Sequence, residues 1–153
     1  MFNQEAFDAF RKGVGLLRED VPAQAMPLFE RAVELDPANP NYISYLGLLK
    51  AMVEEKWGEA ERLCTESLRM GQRQPQLFLN LAEVYRLAGR IQDASDTLGR
   101  GLKYAPRDYR LNLEFSKLVM RRRPIIRRLP RTHFVNRALG RLRHRALQAV
   151  AAM

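Results

Sequence analysis

The side chains that most often ligate a transition metal or act as titrating nucleophiles are scarce in this 153-residue chain: His133, His144 and Cys64. The two histidines are 11 residues apart, about three turns on one helix, and so out of reach of a single metal ion. With neither near a carboxylate in sequence, they are expected to be solvated surface groups. One cysteine excludes an internal disulfide framework and a four-thiolate site within the chain. There is no glycine-rich phosphate loop, nucleophile elbow or His-Glu metal spacing. The expectation is a non-catalytic protein with no metal, no cofactor and no small-molecule substrate. Trp57 is expected to pack between helices, and Glu54, Glu55, Glu59 and Glu61 to form a solvated acidic rim.

What remains is charge and apolar surface. All 17 acidic residues lie at or before Glu114, where they meet 15 of the 26 lysines and arginines, a net −2; the other 11 basic residues follow with no acid to offset them. A nearly neutral body is therefore joined to a strongly basic tail. In the tail, Arg121, Arg122, Arg123, Arg127, Arg128 and Arg131 interleave with Pro124, Ile125, Ile126, Leu129 and Pro130, and the prolines disfavour a regular helix there. From Thr132 helical spacing returns through Val135, Leu139, Leu142, Ala146, Leu147 and Val150, with Arg137, Arg141 and Arg145 on the opposite face. This reads as an arginine-rich linker followed by a basic amphipathic helix. Three uses stay open: a cap over an apolar edge of the body, engagement of nucleic acid or anionic lipid, and docking to an acidic protein or self-association. Phe134 as the only aromatic of the tail argues against single-strand binding by base stacking.

The elements that would position such surfaces follow a repeat. Gly13, Gly47 and Ala82 are spaced 34 and 35; Ala25, Ala60 and Ala94, then Ala32, Ser67 and Gly101, are spaced 35 and 34. The two orders are reconciled by one extra residue between Gly47 and Ala60. Each unit holds two segments of helical period: Phe7, Phe10, Val14 and Leu17 form one face, and Ala25, Leu28, Phe29, Ala32 and Val33 another beyond Pro22. Asp36, Pro37, Asn39 and Pro40 stop the second segment. In the third unit Gly89 is placed for a left-handed C-cap. The pattern predicts seven helices in antiparallel pairs, the seventh from about Asp108 to Arg122. Small residues let helices approach, and Phe29, Cys64 and Leu98, each four after the alanine of its second helix, are the bulky complements; Cys64 is thereby expected to be a buried, inert thiol.

This alternation of small and bulky residues resembles the tetratricopeptide repeat family over about Ala6 to Asp108, with Ser116, 34 after Ala82, suggesting the opening helix of an unfinished fourth unit. The middle unit departs from the family at Lys50, where an aromatic is usual, and at Gln72, where a closing proline is usual. The resemblance implies an all-α superhelix of about three repeats plus a capping helix and a C-terminal amphipathic helix, divided into a repeat domain over 1–122 and the basic segment over 123–153. It also implies a concave groove lined by the first helices, with Phe10, Val14, Tyr45, Leu48, Met52, Leu79, Glu83 and Arg86 as its candidate contacts and a peptide or helix of a partner protein as its occupant. At the positions where the family's chaperone-tail binders clamp a C-terminal carboxylate stand Phe10, Val14, Tyr45, Gln76 and Asn80, which lack the cations of that clamp. Residues 1–13 hold Glu5 and Asp8 and no long apolar run, so they do not read as a secretory signal, and no stretch nears the eighteen or so apolar residues of a membrane span; the expected location is cytoplasmic.

Overall fold

Asparagine, aspartate and proline set most of the helix starts. In the computed structural model, which describes residues 3–71 and 73–120, Asn3 opens α1 (Gln4–Arg18) by accepting the Ala6 N–H at 3.1 Å. Pro22 begins α2 (Pro22–Leu35), where its missing N–H costs no hydrogen bond. Asn39 caps α3 (Pro40–Glu54), and α4 (Trp57–Met70) follows a two-residue turn. Pro75 opens α5 (Pro75–Leu87), then comes α6 (Ile91–Tyr104). Asp108 accepts the Leu111 N–H at 3.0 Å and caps α7 (Tyr109–Met120). No strand occurs among the described residues. The seven expected helices are present, with α7 starting one residue later than anticipated. Gln72, the expected segment 123–153 and every arginine singled out in the tail lie outside the described residues.

The turns inside the three units share one backbone device. Asp20, Glu55 and Gly89 each adopt positive φ, at 59°, 53° and 75°, and they are spaced 35 and 34. Val21 N–H closes the first turn onto the Leu16 carbonyl and Arg90 N–H closes the third onto Tyr85, each across five residues; Lys56 N–H closes the middle turn onto Lys50 across six. The extra residue expected between Gly47 and Ala60 therefore sits between Lys50 and Lys56. It extends α3 past its small residue by two positions relative to α1 and α5 and shortens the turn by one.

Packing follows the small-and-bulky pairing. A Cβ placed on Gly13 would lie 2.7 Å from the Phe29 ring, and one on Gly47 would lie 2.8 Å from Cys64 Sγ. Phe29, Cys64 and Leu98 are all buried, so the gaps are filled by the residues the spacing predicts. Burial pushes the Cys64 thiol up to about 12, and its Sγ contacts the Ser44 carbonyl oxygen at 3.4 Å. The departure at Lys50 has a compensation: its ammonium reaches Glu30 of α2 at 3.2 Å and Glu54 at 3.4 Å. Between the second and third units, the Tyr85 hydroxyl donates to Glu61 at 2.7 Å and Arg90 reaches the same carboxylate at 2.6 Å while lying over the Tyr85 ring. Trp57 opens α4 with 37% of its surface exposed. Of the acidic rim, Glu54 is tied to Lys56 at 2.7 Å, which holds its carboxyl below the usual range.

Candidate partner-binding groove

The first helices α1, α3, α5 and α7 carry two distinct clusters of candidate residues. At the first unit, Phe10 lies edge-on to Phe29, with ring centroids 5.6 Å apart, and 4.9 Å from Tyr42. Tyr45 stacks flat on Phe29 at 5.3 Å and meets Phe10 edge-on at the same separation. Val14 packs on the same cluster. Phe10, Val14 and Tyr45 are half-buried, so each presents only part of its surface outward. Burial raises the Tyr45 hydroxyl pKa, opposed by the charges of Arg110 and Arg18.

The second cluster is a cavity of about 200 Å³. Leu48 of α3, Leu79 and Ala82 of α5, Leu98 of α6 and Leu118 of α7 give it apolar walls, while Asn80, Glu83, Arg86 and Glu114 supply its polar groups. Four of the eight candidate residues, Leu48, Leu79, Glu83 and Arg86, thus converge. Helical spacing explains the group on α5, because positions 79, 83 and 86 lie on one face. Arg86 grips the Glu83 carboxylate through both Nε and a terminal nitrogen; this hydrogen bond, with the nearby Glu114 charge, holds the guanidinium pKa above its ordinary value. Leu48 is buried as part of the core as well as of the cavity wall. Met52, one turn further along α3, is exposed and belongs to neither cluster.

A polar ladder crosses the same side of the molecule. Asn80 Nδ2 donates to Ser44 Oγ at 3.0 Å, Gln76 Nε2 donates to Asn80 Oδ1 at 2.8 Å, and Arg110 donates to Gln76 Oε1 at 2.7 Å. Ser44 and Asn80 are buried and satisfied, which ties α3 to α5, while Arg110 is drawn from α7 onto Gln76. Sequence reasoning missed Arg110, Glu114 and Leu118 as neighbours of the groove. Their signal was present: they stand 34 residues after Gln76, Asn80 and Val84.

A second, wide-open depression lies between α1 and α2, walled by Glu5, Asp8, Lys12 and Arg31 over Ala9 and Leu28. Arg31 reaches Glu5 across it at 2.8 Å, and Asp8 is paired at 3.5 Å with Arg11, which stands outside the lining. Among the described residues no group of histidine, cysteine and carboxylates could hold a metal ion, and no helix is long and apolar enough to cross a membrane.

This architecture is the tetratricopeptide-repeat fold. No protein-family model matches the chain, and no curated protein matches it in sequence. Solved structures do. The chain is similar to the first tetratricopeptide-repeat domain of Spaghetti (RPAP3) bound to the HSP90 peptide SRMEEVD, at 16% identity and a TM-score of 0.64 over 78% of this chain and 97% of that one. It is likewise similar to the second such domain of human RPAP3 in complex with the HSP70 peptide SGPTIEEVD, at 20% identity and a TM-score of 0.60 over 75% and 95%. The corresponding domain of Sgt2 from Aspergillus fumigatus gives a TM-score of 0.65 at 12% identity, over 77% of this chain and 79% of that domain. At such identities the likeness shows the fold.

Proposed function

We propose that the chain is a non-catalytic interaction adaptor that holds a peptide or amphipathic helix of a partner protein along the face of its first helices. The observation that carries this reading is the cavity of about 200 Å³ between α3, α5 and α7, with leucine walls and a polar edge of Asn80, Glu83, Arg86 and Glu114. Apolar walls with a few oriented polar groups suit a side chain inserted from a segment laid across them. Each well-buried aliphatic or aromatic anchor contributes about 1.5 to 3 kcal/mol before ordering costs, so a few anchors support micromolar binding.

The two RPAP3 domains are bound to the HSP90 peptide SRMEEVD and the HSP70 peptide SGPTIEEVD. In this chain Phe10 and Val14 stand at two places of the carboxylate clamp and pack in the aromatic cluster. That supports an occupant anchored by apolar side chains rather than by a free C-terminal carboxylate.

The test is photo-crosslinking from position 83 to identify the partner, followed by titration of that partner. Leu79→Asp should weaken binding at least about ten-fold, as removal of a central anchor does, with little dependence on salt. Normal binding by Leu79→Asp would remove the groove from consideration. Leu48→Ala is a poor probe, because Leu48 is also core. A second reading rests on the net charge of the basic segment, in which an anionic surface such as nucleic acid or lipid is the target. It requires affinity that collapses between low and physiological salt and disappears when the chain is cut after Met120.

A further inference from the structure

α7 begins a fourth unit, and one of its faces is left open by the described residues. Its inner side is occupied: Leu111 is fully buried, and Phe115 and Leu118 pack on the same core, as Leu77, Leu81 and Val84 do one unit earlier. A different face of each first helix turns toward the second helix of its own unit. In α5 that face carries Phe78 and Ala82, both buried, with Phe78 against Gly101 of α6. Thirty-four residues on, the equivalent positions are Asn112 and Ser116, and Asn112 is exposed. Tyr109, 75% exposed, and Leu113, 37% exposed, extend the apolar surface on the same helix, and Val119 stands 49% exposed near its end. Ser116 holds the place of Gly13, Gly47 and Ala82, the gap that a bulky side chain of a packed helix enters.

Two observations decide the chemistry of what covers this face. The sequence after α7 does not repeat the small-residue pattern of a second helix: Arg128, 34 after Ala94, stands at the position where Ala25, Ala60 and Ala94 are each fully buried, and an unpaired guanidinium is strongly disfavoured in such a place. The surroundings of α7 are also positive. Residues 100–119 carry Arg100, Lys103, Arg107, Arg110 and Lys117 against Asp108 and Glu114. Both acids are engaged, Asp108 with Arg110 at 3.6 Å and Glu114 with Lys117 at 2.6 Å. Lys103 in the last turn of α6 and Arg107 in the turn before α7 have no ion-pair partner among the described residues. A second copy of the chain would bring the same positive end against itself.

We propose that the open face of α7 is a second docking site, taken by an acidic amphipathic helix of another protein. That helix lays a bulky apolar side chain over Ser116 between Tyr109 and Leu113, and sets carboxylates toward Lys103 and Arg107. It acts as the second helix of the fourth unit, supplied in trans. The site is separate from the groove and stands whether or not the groove binds a peptide.

The probe is a fluorescein-labelled, helix-stapled peptide copying Ile91–Tyr104 with Arg100→Glu and Lys103→Glu, titrated by anisotropy with the full chain. Saturable binding is expected, weakened at least about ten-fold by Leu113→Glu or Tyr109→Ala in the protein and by Leu98→Ala in the peptide, as loss of a packed anchor does. The peptide with its original Arg100 and Lys103 should bind more weakly. Leu79→Asp in the groove should leave binding unchanged, and circular dichroism should show both α7 variants folded, since the substituted side chains are exposed. Any of three results overturns the proposal: no saturable binding, binding indifferent to the α7 substitutions, or a concentration-dependent dimer that Leu113→Glu dissolves, which would make a second copy the occupant.

Discussion

Gly13 and Gly15 lie two residues apart on α1, and the same substitution should move stability in opposite directions at the two sites. Replacing glycine by alanine within a helix gains about 1 kcal/mol in backbone propensity, somewhat less near a helix end. At Gly15 nothing lies within 4 Å of the new methyl, so the gain stands. At Gly13 the methyl would sit 2.7 Å from Phe29 Cε2 and 3.0 Å from Cδ2. The Phe29 ring cannot swing clear, since it is fully buried, stacked on Tyr45 and flanked edge-on by Phe10. Overpacking of this kind costs about 1 to 3 kcal/mol, leaving Gly13→Ala neutral to about 2 kcal/mol less stable once the propensity gain is subtracted. The difference between the two variants isolates the packing cost, because the propensity gains largely cancel. Urea denaturation followed by helical circular dichroism measures both, and Gly13→Ala should have the lower midpoint. Equal midpoints above the parent's would show that the ring yields freely, and would refute the close helix approach on which the first unit is built.

Glu55 holds positive φ at the end of α3, so Glu55→Gly should raise the urea midpoint by the equivalent of about 0.5 to 1 kcal/mol, relieving the strain of a left-handed non-glycine residue. Cys64, with its thiol pushed up to about 12 and fully buried, should be unreactive toward a disulfide reagent at pH 8 in the native protein and react on unfolding. The Tyr85 hydroxyl is also raised to about 12, by burial first and then by its hydrogen bond to Glu61. Its folded value exceeds the unfolded one, so its contribution is intact below about pH 10 and is lost as pH rises toward 12. Tyr85→Phe should flatten the fall in stability across that window, and an unchanged slope would contradict the partly buried, Glu61-bound placement of the hydroxyl. Lys50→Met should cost at most about 1 kcal/mol, because the pairs it makes with Glu30 and Glu54 are partly solvated.

The period in the residues fixed much of the architecture before any coordinates. Small and bulky positions recurring every 34 or 35 residues placed Gly13 against Phe29 and Gly47 against Cys64, and both contacts are present, because the close crossing of two helices is a local matter of side-chain volume. Gly89 was legible as a left-handed turn residue because glycine, with no Cβ, takes positive φ without penalty. Asp20 and Glu55 were not: aspartate enters the left-handed region more readily than most residues but far less regularly than glycine, and glutamate does not favour it; their turns are closed by the geometry of the helices they join. Within the groove, sequence periodicity put Leu79, Glu83 and Arg86 on one face of α5. It could not say that Leu48 would be shared between the cavity wall and the core, or that Met52 would stand apart.

By itself, then, the sequence determined the helices, their pairing and the division of charge between body and tail, because these depend on neighbours along the chain and on one repeat length. Tertiary structure decided which first-helix residues meet across units: the ladder from Ser44 through Asn80 and Gln76 to Arg110, the cavity shared by Leu48 and Leu118, and the open face of α7. Those contacts depend on how far each unit is rotated and shifted on the last. That offset comes from the summed packing of whole helix surfaces and is written in no single stretch of residues.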